Sequence, residues 1–253
     1  MRRIKLVVEY DGTNYGGWQL QDNAPTVQGC LEQALFELTG THTRITGASR
    51  TDAGVHAKGQ IAHFDTESNI PADRFSYALN THLPPDIRVQ DSCEAKEGFH
   101  SRFWTSGKRY SYTIYNKKHA SALLAHRSWH VYRDLDIEKM QRAARDLIGK
   151  HDFAAFCATG GSAKTTVRTL HDVRVERVDD CVIITVEGDA FLYNMVRIIA
   201  GTLVGVGDGD LPEDIILQMF ETCDRRIGGV TAPPQGLILE EVFHHDEKPS
   251  WVL

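Results

Sequence analysis

The order of strand-like and helix-like segments constrains this chain more than any other feature. Residues 3–10 alternate apolar and polar side chains, which is typical of a strand with one buried face. Residues 26–39 then carry apolar side chains at helical spacing, between a Thr26 N-cap and Gly40 as a stop. The following segments are short strands at 43–47 and 57–66, a helix at 71–82 and a strand at 87–95. The predicted order is β-α-β-β-α-β.

The same order returns after a link near residues 96–104. The predicted elements are a strand at 107–116, a helix at 136–149, strands at 168–178 and 181–188, helices at 192–206 and 212–223, and a strand at 236–243. Two split β-α-β units predict a mixed α/β (α+β) chain of two related halves, residues 1–104 and 105–253. Their sheets would meet along a shared cleft, where ligand sites are common.

Composition places the chain among soluble globular proteins. Apolar residues make up 42% and charged residues 25% of its 253 residues. Acidic residues come too early for a signal peptide, and Arg197 interrupts the most apolar later stretch, so we expect a cytoplasmic protein without a membrane segment. The five cysteines include no close pair, which favours reduced, structural thiols over a disulfide framework or a zinc knuckle.

The stretch GASRTDAGVHA, residues 47–57, has the composition of a site rather than of a packed core. Its glycines permit sharp turns, and its small side chains fill little volume. If the segment is extended, Arg50 and Asp52 point to the same side, and the cation favours the ionised carboxylate. Such an aspartate can act as nucleophile, base or metal ligand, although Thr-Asp-Ala-Gly can equally be a simple turn.

A long basic segment offers a second candidate site. No Asp or Glu occurs from Gly98 to Arg133, while basic and aromatic residues alternate there. This pattern suits phosphate contact and base stacking by nucleic acid, even though the formal net charge of the chain is −6. A solvated basic strand and loop is the competing interpretation. The candidate contacts to a nucleic-acid backbone are Arg102, Lys108, Arg109, Lys117 and Lys118.

Two further segments place polar groups beside apolar faces. Strand alternation in residues 107–116 puts Tyr110 and Tyr112 on one face, as an aromatic platform or as core side chains whose hydroxyl groups reach the edge. On the helix at 192–206, Arg197 flanks the apolar stripe, where it either extends to water or meets a partner in a cleft. Asn194, three residues earlier, could reach the same neighbour as Arg197.

Metal and nucleotide sites have little support in the sequence. Asp52, His56, His63 and Asp65 could be read as metal ligands, but their spacing matches no metal motif with a physical basis. The glycines also lack the spacing and the lysine of a phosphate-binding loop, so a nucleotide cofactor is not indicated.

Taken together, these segments resemble the tRNA pseudouridine synthase A family. The resemblance spans nearly the whole chain and is carried, in chain order, by EYDGTNYGGWQLQ, TVQGCLEQAL, SRTDAGVHA, FHSRFWTSGKRYSYTIYN, HDFAAFCATG, FLYNMVRIIAGTL and APPQGLILEEV. The most specific of these is RTDAGVHA. Ser49 departs from the family, which has glycine there, and serine fits if its φ is negative.

The resemblance implies an enzyme that isomerises uridine to pseudouridine at positions 38, 39 and 40 of the tRNA anticodon stem-loop. It also implies a homodimer with two ferredoxin-like halves around a central cleft, and no metal or organic cofactor. The catalytic aspartate falls on Asp52, the active-site tyrosine on Tyr110, the arginines on Arg50 and Arg197, and the pocket leucine on Leu237. A non-catalytic protein that binds structured RNA and a metal-dependent hydrolase are the alternative functions.

Overall fold

The computed structural model describes residues 1–161 and 163–245 and divides the chain into two compact units. Among the described residues, the first unit combines Met1–Ser106 with residues 239–245, and the second is formed by Gly107–Ile238. The change from one unit to the next at residue 106 lies close to the sequence-based boundary at 104. The last strand differs from the prediction, because its larger part clusters with the first unit. Among the described residues, no helix is long and apolar enough to cross a membrane.

The first unit is a split β-α-β unit. Its elements are β1 (Arg2–Tyr10), α1 (Val27–Thr39), β2 (Thr46–Gly47), β3 (His56–Thr66), α2 (Phe75–Asn80) and β4 (Ile87–Glu94). The strands run antiparallel in the order β4-β1-β3-β2, which is the ferredoxin-like order. The final strand β10 (Leu237–His244) also pairs with β3.

The apolar pattern of β1 explains how this unit is built. Ile4, Leu6 and Val8 are fully buried, and the residues between them are more exposed. The predicted caps of α1 are confirmed, because the Thr26 hydroxyl accepts a hydrogen bond from the Gly29 amide at 3.2 Å and the helix ends at a left-handed Gly40.

The second unit repeats the antiparallel pattern with additions. Its elements are β5 (Thr105–Tyr115), β6 (Trp129–His130), α3 (Ile137–Arg145), β7 (Gly149–Asp152), β8 (Val167–Val178), β9 (Cys181–Gly188), α4 (Met195–Gly207) and α5 (Ile215–Thr222). The strand order is β5-β9-β8-β7, all antiparallel, and β6 lies parallel to β5. The mixed α/β class with mainly antiparallel strands is therefore confirmed.

Several predicted boundaries need correction. The helix predicted at 136–149 ends at Arg145, and its last predicted residue, Gly149, begins the short strand β7, which pairs with β8. The helix predicted at 71–82 is α-helical only over Phe75–Asn80, because the Asn80 amide bonds both backbone groups of Val89 on β4 and ends the helix there. In both places long-range pairing overrides local periodicity, and β6 and β7 are too short to show a strand pattern in sequence.

Candidate active site

Asp52 begins a tight turn between β2 and β3. The Asp52 carbonyl accepts a hydrogen bond from the Val55 amide at 3.1 Å, and Gly54 has a φ of +78°, as the third residue of a type II turn requires. The turn that the sequence allowed as a structural alternative is therefore present. It does not compete with a functional role, because the half-buried Asp52 side chain sits at the first position of the turn.

The turn rests on glycine and tryptophan residues from the segment after β1. A Cβ on Gly17 would lie 2.5 Å from the Thr51 carbonyl oxygen and 3.0 Å from the Asp52 carbonyl carbon, so only glycine fits there without a shift. The Trp18 amide donates to the same Thr51 oxygen at 3.1 Å. On the other side, the Trp18 indole packs against Gly47, where a Cβ would lie 2.4 Å from the indole nitrogen. We call Gly17 and Trp18 the cradle of the Asp52 turn, because their backbone contacts fix the position of that turn.

A buried glutamine holds the loop from below. The Gln60 side chain is fully buried and bonds both backbone groups of Ser49, accepting from its amide at 3.1 Å and donating to its carbonyl at 2.7 Å. The Thr51 and Tyr10 hydroxyl groups are hydrogen-bonded at 2.7 Å. Ser49 is not among the residues with positive φ, so it has the negative φ that its replacement of glycine needs.

Arg50 does not pair with Asp52. The Arg50 side chain is exposed, and within the described residues it forms no hydrogen bond or ion pair. The structure therefore gives no support to the hypothesis that Arg50 keeps Asp52 ionised in the free protein. Its position two residues before Asp52, with a solvent-facing cation, suits contact with a polyanionic substrate.

His56 braces the segment that follows β1. The buried His56 ring places Nδ1 3.0 Å from the Gly12 amide nitrogen and 3.0 Å from an Asp11 carboxylate oxygen. Gly12 is tightly enclosed as well, because a Cβ there would lie 2.0 Å from the Val55 carbonyl oxygen. These contacts give His56 a supporting role beside the Asp52 turn.

The other two candidate metal ligands also have protein partners. His63 Nδ1 accepts a hydrogen bond from the Ser101 amide at 3.2 Å, and burial, with nearby Arg3, lowers the pKa of His63 to about 4. Asp65 forms a two-point ion pair with Arg3 at 2.7 and 2.8 Å, which lowers the pKa of this carboxyl group. In the part of the chain that the structure describes, no group of three His, Cys, Asp or Glu residues is arranged to hold a metal ion.

Tyr110 and Tyr112 lie on the buried face of β5, as the alternation predicts. The Tyr110 ring, only 7% exposed, meets Phe191 edge to face with ring centroids 5.0 Å apart. Tyr112 is fully buried and donates its hydroxyl to the Pro233 carbonyl at 2.7 Å, while burial raises the pKa of its phenol. Tyr112 thus follows the core interpretation, with a hydroxyl group that reaches the edge.

Arg197 fastens the chain that leads to Leu237. Its Nε donates to the Ala232 carbonyl at 2.7 Å, and Nη1 donates to the Asn194 side chain at 2.7 Å. The Ala232 amide in turn donates to the Arg197 carbonyl at 3.1 Å. Arg197 and Asn194 therefore bond to each other rather than to a shared neighbour. Leu237 is buried at the start of β10, five residues beyond Ala232.

The segment from Gly98 to Arg133 contains no acidic residue, but the fold brings acidic side chains from other segments beside it. Arg109 forms an ion pair with the buried Glu187, and Lys117 forms one with Asp180 at 2.8 Å. Lys118 and Arg102 are exposed, and Lys108 is half-buried. Of the five candidate RNA contacts, Arg109 and Lys117 therefore have acidic partners, and Arg102 and Lys118 are exposed to solvent.

Comparison with known proteins identifies the family. The family model described as tRNA pseudouridine synthase matches residues 6–103 and 143–244. The chain belongs to the tRNA pseudouridine synthase family. Proteins named tRNA pseudouridine synthase A are 55% identical in Acetivibrio thermocellus, 51% in Ruminiclostridium cellulolyticum and 49% in Geotalea daltonii, over 96% of this chain and all of each relative.

Family membership confirms the resemblance drawn from the sequence motifs and makes the chain an isomerase. These matches support neither of the two alternative functions, a non-catalytic RNA-binding protein and a metal-dependent hydrolase. Among solved structures, the match to "Structure of H/ACA RNP bound to a substrate RNA containing 2'-deoxyuridine" has a TM-score of 0.38 and 10% identity over 79% of this chain and 44% of that one. That likeness is too distant to bear on function.

Sequence reasoning did not find the supporting residues of the loop. Gln60, Gly17 and Trp18 position the loop through backbone contacts, which leave no periodic or charged pattern in the sequence. The one available signal is the pair of glycines before tryptophan in EYDGTNYGGWQLQ, which mark a close backbone approach without showing what approaches.

Proposed function

We propose that this enzyme converts uridine to pseudouridine at positions 38, 39 and 40 of the tRNA anticodon stem-loop, with Asp52 as the nucleophile. The family match and the relatives named tRNA pseudouridine synthase A support the substrate class. The observation that carries the assignment of Asp52 is the loop itself, which is held by Gln60, Trp18 and two close-packed glycines and presents one carboxylate.

The reaction explains why a positioned carboxylate is needed. Uracil must leave the ribose through the bond from N1 to C1′, rotate, and rejoin through C5, so the enzyme has to stabilise the separated base and sugar. In this proposal Asp52 attacks C1′ while the bond to N1 breaks and uracil leaves with its electron pair, or adds to the uracil ring, or assists elimination of uracil to leave a glycal. A fixed turn lowers the cost of this step because the carboxylate does not have to be ordered when the substrate arrives.

Tyr110 is proposed to bind the detached base. Its ring stacks on the uracil, and its hydroxyl moves a proton at C5 or C2′ directly or through water. The edge contact with Phe191 keeps the ring in one orientation, which suits a stacking surface.

The remaining residues are proposed to shape the substrate pocket. Leu237 provides an apolar wall, and Arg197 binds substrate while fixing the chain from Ala232 to Leu237 through its two hydrogen bonds. Arg50, exposed beside the catalytic turn, contacts the phosphate or ribose of the flipped nucleotide.

Binding of the stem-loop requires base flipping, which costs a few kcal/mol. Phosphate contacts offset this cost, and we propose Arg102, Lys108, Arg109, Lys117 and Lys118 for them. The exposed Arg102 and Lys118 are proposed ahead of Arg109 and Lys117, which have acidic partners. A homodimer, which the family resemblance implies, would let two copies of the chain share one tRNA.

The deciding experiment replaces Asp52 by asparagine, which keeps the shape of the side chain and removes its charge. We expect no pseudouridine in unmodified tRNA and a dissociation constant for tRNA within about tenfold of wild type. Asp22→Asn, the same change at an exposed aspartate, should keep full activity. Pseudouridine formation by the Asp52→Asn enzyme would rule out the nucleophile. Mapping of pseudouridine in tRNA from cells with and without the gene tests the positions.

A further inference from the structure

The segment between β4 and β5 exposes an unusual aromatic side chain. Phe103 is 71% exposed, and no other phenylalanine among the described residues is strongly exposed. One face of the ring lies against the His100 imidazole, with centroids 4.3 Å apart and planes 30° apart. The Arg102 guanidinium carbon lies 6.0 Å from the Phe103 centroid. An apolar ring that folding leaves in water, beside a cation, is suited to a partner with both π-surface and negative charge.

This aromatic turn is fixed in place by hydrogen bonds. The buried Ser101 donates its hydroxyl to the Thr46 carbonyl at 2.8 Å, and its amide donates to His63 at 3.2 Å. The Thr105 hydroxyl bonds the Ser101 carbonyl at 2.7 Å, and the Trp104 amide bonds the His100 carbonyl at 2.9 Å. A partner that stacks on Phe103 therefore meets a surface whose backbone is already ordered.

The turn is also tied to the catalytic loop. Thr46, which accepts the Ser101 hydroxyl, belongs to β2, and Asp52 follows six residues later. Six residues span at most about 22 Å, and Phe103 lies two residues beyond Ser101, so Phe103 and Asp52 are at most roughly 30 Å apart. One tRNA molecule can therefore reach Phe103 while its target uridine lies at Asp52.

We propose that Phe103, backed by His100, stacks on an unpaired base of the tRNA substrate while Arg102 contacts its phosphate. The proposal rests on the proposed function for the identity of the substrate. Aromatic side chains bind single-stranded bases through their faces with little sequence preference, and arginine adds attraction to phosphate.

The test compares tRNA binding by Phe103 variants. Phe103→Ala and Phe103→Leu should each weaken binding by about fivefold to a hundredfold, since both remove the aromatic face, whereas Phe103→Trp should stay within about threefold. Tyr77→Ala is a matched control, because Tyr77 is 68% exposed and lies 5.4 Å from the guanidinium carbon of Arg74 in the same unit. It should bind tRNA as wild type does. Binding by Phe103→Leu at the wild-type level would overturn stacking, because leucine keeps only the apolar bulk.

A second measurement locates the base. Single abasic nucleotides are placed along the anticodon arm, and one position should weaken binding to wild type but not to Phe103→Ala. No such position would also overturn the proposal. The binding assay does not depend on pseudouridine formation, so the stacking surface and the proposed function can be refuted separately. A wild-type enzyme that binds tRNA but forms no pseudouridine would refute only the function, and full binding by Phe103→Ala in an active enzyme would refute only the stacking surface.

Discussion

Gly17→Ala should slow catalysis far more than it destabilises the fold. The new methyl group would lie 2.5 Å from the Thr51 carbonyl oxygen, where ordinary contact begins near 3.4 Å, so the Asp52 turn must move by about 1 Å. A displacement of this size at a reacting group can cost about a hundredfold in rate. The residue must also keep a φ of +99°, at a cost of about 1–2 kcal/mol for alanine.

Gly40→Ala separates these two effects. Gly40 also has a positive φ, +70°, but nothing lies within 4 Å of a Cβ placed there, so this variant carries the backbone cost alone. Its melting temperature should fall by about 2–8 °C with unchanged kcat.

The assay is single-turnover pseudouridine formation on unmodified tRNA at a temperature where both variants are folded. We expect the rate of Gly17→Ala to be about a hundredfold below that of Gly40→Ala, with similar affinity for tRNA. Equal rates for the two variants would show that the cradle under the Asp52 turn does not control its position.

Three further predictions concern single side chains. Tyr110→Phe keeps the ring against Phe191 and should lower the single-turnover rate at least about tenfold if the hydroxyl moves a proton; a near-normal rate would leave Tyr110 only a stacking role. The pKa of His63 is about 4 in the folded protein and near 6.5 in the unfolded chain, so the unfolded chain binds the proton first as pH falls from 6.5 to 4. In denaturant titrations the free energy of unfolding of wild type should therefore fall by up to about 2 kcal/mol by pH 5 relative to that of His63→Asn. Parallel pH profiles of the two proteins would contradict this. Arg109→Ala should cost about 3 kcal/mol of stability by leaving Glu187 buried without its main partner, whereas Lys118→Ala should not change stability; equal denaturation midpoints would argue against this role for Arg109.

Much of this architecture was accessible from the sequence because it depends on local patterns. Alternation gave β1 and β5, and helical spacing with caps gave α1, since burial of one face imposes these periods on the sequence. The small and polar residues at 47–57 indicated a site rather than a core, and the resemblance to the family then placed the catalytic aspartate on Asp52.

The rest depends on contacts between distant residues. The Gln60 amide and the Thr46 carbonyl take part in the site region through hydrogen bonds to residues 11 and 55 positions away, and neither residue type suggests such a role by itself. The ion pair of Arg109 with Glu187 could not be predicted for the same reason, because a basic stretch of sequence does not show which acidic residues a neighbouring strand places beside it.

The discontinuous first unit affects how the protein folds during its synthesis. About 130 residues of the second unit separate Ser106 from Leu239, and translation of these residues takes roughly 7 to 26 s. During this interval β3 has an open edge beside Gly59, where β10 later packs so closely that a Cβ would lie 2.6 Å from the Glu240 carbonyl oxygen. The unit that carries Asp52 is thus assembled after the second unit has left the ribosome, and nascent chains are exposed to edge pairing and aggregation until β10 arrives.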